Sequence, residues 1–319
     1  MRLVNHRSGA IFMGARSIHR ASGGRQAAGG ARGATPSARR RERAKRCGGR
    51  GEIEVFDHPT NPWYGTPVIQ VHRLTVRFAS GLEALRDVSL SIHEGEFAFV
   101  SGRSGAGKST LLAVVCAELA PTDGQVIVAG RNLAVLKRAQ IPFLRRSIGR
   151  LWQDVRLLPE LSVRDNVSLP LEVLGVDAAR RKRRVDQVLE MVGMERHAAA
   201  LPQWLSTLEQ QRVGIARAVA HEPAILLADE PTGNLDPEGG REIIQMLRDL
   251  QSRGLTTVVA TRDSNLAASY PERVVLLNKG FLIEDGAPLG PADLPSAREV
   301  SRPDGASGLP HFPQQGGGR

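Results

Sequence analysis

The stretch Phe97-Ala98-Phe99-Val100-Ser101-Gly102-Arg103-Ser104-Gly105-Ala106-Gly107-Lys108-Ser109-Thr110 decides the fold. It opens as a short apolar run, which reads as a buried strand. It continues as a G-x-x-x-x-G-K-[ST] loop over residues 102–109 and leads into a helix expected over residues 108–119, ended before Pro121. Glycines let the backbone N–H groups of such a loop wrap phosphates, and the helix N-terminus adds a favourable dipole. In this pattern Lys108 reaches the β- and γ-phosphates and Ser109 ligates Mg²⁺. Residues 102–110 are thus the expected nucleotide-binding segment.

Downstream, Ile225-Leu226-Leu227-Ala228-Asp229-Glu230 reads as a buried strand delivering two carboxylates at its C-terminal end. That is where open α/β sheets place their ligands. Asp229 is the expected second metal ligand, and Glu230 the group that polarises an attacking water. Outward from these motifs, residues 68–78 and 88–92 read as an antiparallel pair turned at Ser80-Gly81. Further strands are expected at 125–129, 224–228, 255–260 and 273–277, and helices at 177–192, 208–220 and 237–253. Residues 141–205 read as a helical insertion. Alternating strands and helices imply a mostly parallel sheet covered on both faces.

The 319 residues carry 43 Lys+Arg and 33 Asp+Glu, a formal net charge of +10. Residues 1–67 hold 13 of the basic and 4 of the acidic residues, leaving residues 68–319 at +1. The excess positive charge therefore does not belong to the body, and a nucleic-acid partner is not expected. The leader, residues 1–67, cannot offset its ordering entropy by burial and reads as disordered. Three readings stay open for it: an anion-binding tail, an organelle transit peptide, or a segment that is not translated. Residues 286–319 are rich in Pro and Gly and read as a disordered tail. Cys47 and Cys116 exclude a disulfide framework, and no run approaches the roughly 18 apolar residues of a membrane span. The ordered body is then residues 68–285. Within it, Cys116 is expected in the core, Trp152 and Trp204 in packing roles, and the scattered His72, His93, His197 and His221 at the surface. The run from Arg180 to Arg184 is expected to form a solvated helix face.

Taken in order, these residues resemble the ATP-binding-cassette ATPases over about 68–285. The resemblance implies a P-loop NTPase fold with a mostly parallel core sheet, an antiparallel β subdomain and a helical subdomain near 141–205. It places Phe78 against adenine and makes Gln153 a metal- and water-sensing residue. Leu205-Ser206 opens the signature segment, and Gly233-Asn234-Leu235-Asp236 resembles the dimer-contact loop. Ala228-Asp229-Glu230-Pro231-Thr232-Gly233-Asn234-Leu235-Asp236 is typical of the branch holding lipoprotein-release, macrolide-export and cell-division ATPases. The segments at 142–149, 153–159 and 165–167 look most like the FtsE family of bacterial cell-division ATP-binding proteins. That family implies ATP and Mg²⁺, a homodimer, a polytopic FtsX-like membrane partner and a place on the cytoplasmic face of the inner membrane. The partner's cytoplasmic helix would dock around Gln153 and the helical insertion. The family opens Met-Ile-x-Phe-x-x-Val, and Val68-Ile69-Gln70-Val71 occupies that place, so Val68 is the expected initiator.

Two segments depart from the family. Its signature Leu-Ser-Gly-Gly-Glu/Gln is here Leu205-Ser206-Thr207-Leu208-Glu209. Thr207 and Leu208 keep their N–H donors but add bulk where the resemblance implies close approach to the opposite subunit's γ-phosphate. Leu208 is the more serious, since it would bring an apolar group to a polyanion. The second departure is Arg262, where the family has the histidine that contacts the γ-phosphate. Arg262 is longer and always charged. The alternatives are a cell-division ATPase, an ATP-gated binding or scaffold module with little turnover, and the ATPase subunit of a lipoprotein-release or macrolide-export type transporter.

Overall fold

The computed structural model describes residues 66–286. The expected leader lies outside them except for Thr66 and Pro67, as does the expected tail after Gly286.

Two sheets organise the described residues. In the first, β1 (Pro67–Arg77) lies between β2 (Glu83–His93) and β4 (Asp123–Val128), and β5 (Arg131–Asn132) closes the far edge; all of its pairings are antiparallel. The second has six strands: β3 (Phe97–Ser101), β6 (Ile148–Leu151), β7 (Ile225–Asp229), β8 (Thr256–Thr261), β9 (Arg273–Asn278) and β10 (Phe281–Gly286). Its order is β10-β9-β3-β8-β7-β6, parallel throughout except for the β9–β10 hairpin. The expected architecture of a mostly parallel core sheet beside an antiparallel one is thus observed.

Strand periodicity sorts the core. Phe97, Phe99, Leu226 and Ala228 face one apolar cluster, while Ala98, Val100, Ile225 and Leu227 face another. Because side chains alternate across a strand, both faces are buried, and these strands read as unbroken apolar runs. The first cluster is covered by α3 (Val163–Val173), α4 (Ala178–Met191), α5 (Thr207–Val219) and α6 (Pro237–Gln251). On the other face, α1 (Lys108–Val115) sits between the core sheet and the antiparallel sheet. Two five-residue helices, α2 (Ile141–Arg145) and α7 (Ser264–Ala268), complete the set. Amphipathicity drives the docking of α6: Ile243, Ile244, Leu247 and Leu250 form one buried stripe.

Several expectations need correcting. The helix after the phosphate loop ends at Val115, because Ala117 takes the left-handed conformation at φ 52°. Within the supposedly helical 141–205 segment lies β6, which pairs with β7 as the outermost core strand. Gly149 and Arg150 obscure it in the sequence; a Cβ at Gly149 would lie 2.4 Å from the Ala218 carbonyl oxygen, so only glycine lets α5 pack this close. Trp204 is 76% exposed and packs nothing away. The arginine run is mostly solvated, yet Arg184 is not: it donates to the Ala220 carbonyl at 2.9 Å and the Val219 carbonyl at 3.1 Å. It thereby caps the C-terminal end of α5, where a cation is favourable. His72, His93 and His221 are half-buried; only His197 of the four is exposed. Cys116 is in the core, as expected.

One residue ties the sheets to the phosphate loop. The Gly280 N–H donates to the Ala106 carbonyl at 3.1 Å, and its own carbonyl accepts from the Arg86 N–H at 2.8 Å.

Candidate functional site: a phosphate-loop cleft

Strand β3 lies between β8 and β9, and the chain leaves its C-terminal end as the loop 102–107. Gly102 (φ 153°) and Gly107 (φ 106°) are the positions that require glycine: a Cβ would lie 2.3 Å from the Leu277 carbonyl oxygen at the first and 2.6 Å from that of Ala84 at the second. Lys108 is buried and folds back over the loop, donating to the carbonyls of Gly102 at 2.8 Å and Arg103 at 3.3 Å.

Strand β7 brings the carboxylates to this loop. The Ser109 hydroxyl donates to Asp229 Oδ1 at 3.0 Å. Glu230 Oε1 pairs with Lys108 Nζ at 3.4 Å, and Oε2 accepts from the Arg262 backbone N–H at 3.1 Å. The Glu230 backbone is left-handed at φ 48°, a conformation that costs a non-glycine residue about 1 kcal/mol or more. The strand turns sharply there, with Gly233 N–H donating to the Glu230 carbonyl at 3.1 Å. The Arg262 side chain donates to the Gly233 carbonyl at 3.4 Å.

These groups open into a cleft of about 490 Å³. Its lining includes Ser104 through Thr110, Glu230, Arg262 and Gln153 at the polar end, and Phe78 and Leu82 at the apolar end. Phe78 is 39% exposed. The sequence reading missed Ala84, Arg86 and Lys279, which also line the cleft. The Lys279-Gly280 turn between β9 and β10 was the available signal for the last of these. Arg150 was missed too; its Nη2 lies 3.7 Å from Asp229 Oδ2.

The hydroxyl of Ser109, which lines the cleft, and the carboxylate of buried Asp229 just behind it are hard oxygen donors in contact. They fit Mg²⁺, which takes one or two protein oxygens and completes its shell with phosphates and waters. Asp229 and Glu230 differ in surroundings, one held by a hydroxyl and the other by a lysine and an amide. This division suits one carboxylate to a metal and the other to a water.

The signature residues do not line this cleft, and neither does Asp236. Ser206 caps α5 in a reciprocal box: its hydroxyl accepts from the Glu209 N–H at 3.3 Å, and Glu209 Oε2 accepts from the Ser206 N–H at 2.8 Å. The Ser206 hydroxyl and amide hold the Glu209 carboxyl below its usual range. Thr207 is exposed, whereas Leu208 is half-buried and packs on the core. Leu208 Cδ1 lies 3.6 Å from the position a Cβ on Gly239 would occupy. The expectation that Leu208 points its branched group outward is therefore corrected, and Thr207 is the residue that adds exposed bulk. Asp236 caps α6 by accepting from the Gly239 N–H at 2.9 Å.

A second cleft of about 450 Å³ is lined by Trp152, Arg156, Leu158, Pro170, Arg217 and His221 among others. The loop above it is held by buried Asn166, whose amide donates to the carbonyls of Leu158, Leu161 and Ser162 and accepts from the Leu158 N–H. Among the described residues no helix is long and apolar enough to cross a membrane.

Comparisons agree with this geometry. Residues 85–233 match the ABC transporter family. The chain is 40% identical over 218 residues to the cell division ATP-binding protein FtsE of Bacillus subtilis, covering 68% of this chain and 96% of that protein. It is 43% identical over 219 residues to the protein of the same name from Mycobacterium tuberculosis, covering 68% and 95%. Among solved structures, a dimeric ATP-binding cassette in a post-hydrolysis state bound to ADP and Pi matches with TM-score 0.63 at 35% identity, over 70% of this chain and 99% of that one. The chain belongs to the ATP-binding-cassette ATPases, as an FtsE-like ATP-binding subunit.

Proposed function

We propose that this chain is the ATP-hydrolysing subunit of a membrane-associated complex acting in bacterial cell division. It works as a homodimer on the cytoplasmic face of the inner membrane with a polytopic FtsX-like partner. The observation that carries this reading is the meeting of Lys108, Ser109 and Glu230 in one cleft, with buried Asp229 hydrogen-bonded to Ser109 behind its wall.

In this reading Phe78 stacks on adenine, and the loop amides with Lys108 hold the phosphates. Ser109 and Asp229 hold Mg²⁺, which when bound neutralises charge on the phosphates. Glu230 takes the proton of the attacking water, with Gln153 beside the metal and Arg262 toward the γ-phosphate. Ser206, Thr207 and Glu209 complete the site of a second copy from α5, and Asp236 lies at the dimer contact. The second cleft, lined by Trp152, takes the partner's cytoplasmic helix.

The exposed Thr207 and the Arg262 substitution favour a second reading, an ATP-gated module with little turnover. Steady-state Mg-ATP hydrolysis by the full chain and by Glu230→Gln separates the two. The first reading expects turnover that falls about 10²–10⁴-fold in the variant. Equal background rates from both proteins support the second. Failure of the chain to co-purify with an FtsX-like membrane protein would remove the proposed partner.

A further inference from the structure

Arg150 lines the second cleft and faces the Asp229 carboxylate behind the first. It stands on β6 with its side chain only 9% exposed. Its Nη1 donates to Cys116 Sγ at 3.3 Å, and its guanidinium carbon is 5.9 Å from the centre of the Trp152 ring. Nη2 lies 3.7 Å from Asp229 Oδ2, beyond hydrogen-bond range, so that attraction is coulombic and not a fork. Nε is buried without a hydrogen-bond partner. A guanidinium held this loosely is poorly compensated for its burial. The indole face offers a second resting place close by.

We propose that Arg150 is a positioning residue for the metal-binding carboxylate. It steadies Asp229, competes with the divalent cation for it, and is displaced toward Trp152 when the cation binds. This rests on Asp229 being a metal ligand. The physical reason is charge: a cation arriving at Asp229 meets a guanidinium a few ångströms away. Even in water-like screening, one unit charge facing a divalent cation at that range is worth about tenfold in affinity.

The test uses the full chain with a non-hydrolysable ATP analogue. The half-saturating Mg²⁺ concentration for analogue binding is measured alongside tryptophan emission. Arg150→Met should lower the Mg²⁺ midpoint about tenfold. Arg150→Lys, which keeps the charge, should stay within about twofold of the parent. If Arg150→Met does not fold, Arg150→Gln keeps a donor toward Cys116 and should show the same direction of shift. Mg²⁺ should change the parent's emission, and Trp152→Phe or Arg150→Gln should remove that change. An unshifted midpoint in the neutral variants, or an unchanged parent emission, overturns the inference. Asp229→Asn is the control for its premise: if that variant keeps the parent's Mg²⁺ dependence, Asp229 is no ligand and both ideas fall together.

Discussion

The Glu230 carboxylate accepts from the backbone N–H of Arg262 at 3.1 Å, while the Arg262 side chain reaches past it to the Gly233 carbonyl. The position of the candidate base is therefore independent of which side chain stands at 262. Arg262→His should leave Glu230 in place and change only what faces the phosphates. Turnover is expected to rise about tenfold, a fraction of what one well-placed donor supplies, with little change in KM for ATP. Steady-state kinetics read this directly. A fall in kcat would mean that the guanidinium is itself the phosphate contact.

The two signature departures should separate by readout. Leu208 packs inward, so Leu208→Ala is expected to cost about 2 kcal/mol of stability, seen as a lower Tm. Thr207 is exposed at the first turn of α5, so Thr207→Gly should scarcely move Tm but should raise turnover. If Leu208→Ala raised turnover and left Tm alone, the inward packing would be wrong.

Two glycines of the phosphate loop should differ in cost. At Gly107 an added Cβ meets Ala84 carbonyl oxygen at 2.6 Å and Leu85 Cδ2 at 2.7 Å, while at Gly105 (φ 78°) nothing lies within 4 Å. Gly107→Ala should therefore destabilise by about 3 kcal/mol and abolish analogue binding. Gly105→Ala should cost only the left-handed backbone penalty of about 1 kcal/mol. Thermal unfolding compares them, and equal losses would contradict the geometry.

His221 gives a pH dependence. Burial chiefly, with the Arg184 charge adding to it, holds the imidazole below its usual value of 6.5; its Nε2 is 3.3 Å from the Ile148 carbonyl oxygen. The native chain binds this proton less readily than the unfolded one. The contribution to stability is thus present above about pH 6.5 and is lost as pH falls through the depressed folded pKa. Between pH 7.5 and 5.5 the parent's Tm should drop about 2 °C further than that of His221→Gln. Parallel curves would remove His221 from the account.

The phosphate loop, β7 with its two carboxylates, and α4 and α6 were legible because each pairs a strong local signal with a matching period. The strand β6 was not, since Gly149 and Arg150 break the apolar run and only pairing with β7 makes it a strand. The direction of Leu208 was illegible for a different reason. A side chain in the first turn of a helix can face in or out, and the space beside Gly239 decides it. Arg150 escaped notice because its partner Asp229 is distant in sequence and comes near only through sheet order. Trp204 shows the opposite error, since a large aromatic beside a motif invites a burial reading that the fold does not supply.

The pair of hydrogen bonds made by Gly280, to Ala106 of the phosphate loop and to Arg86 of β2, has a thermodynamic consequence. It joins Arg86, in the cleft wall, to the phosphate loop through a single residue. Ligand ordering of these walls is then largely complete before nucleotide arrives, and little conformational entropy is lost there on binding. Ordering these two walls therefore draws little on the free energy of nucleotide binding, which remains for motions elsewhere in the cassette.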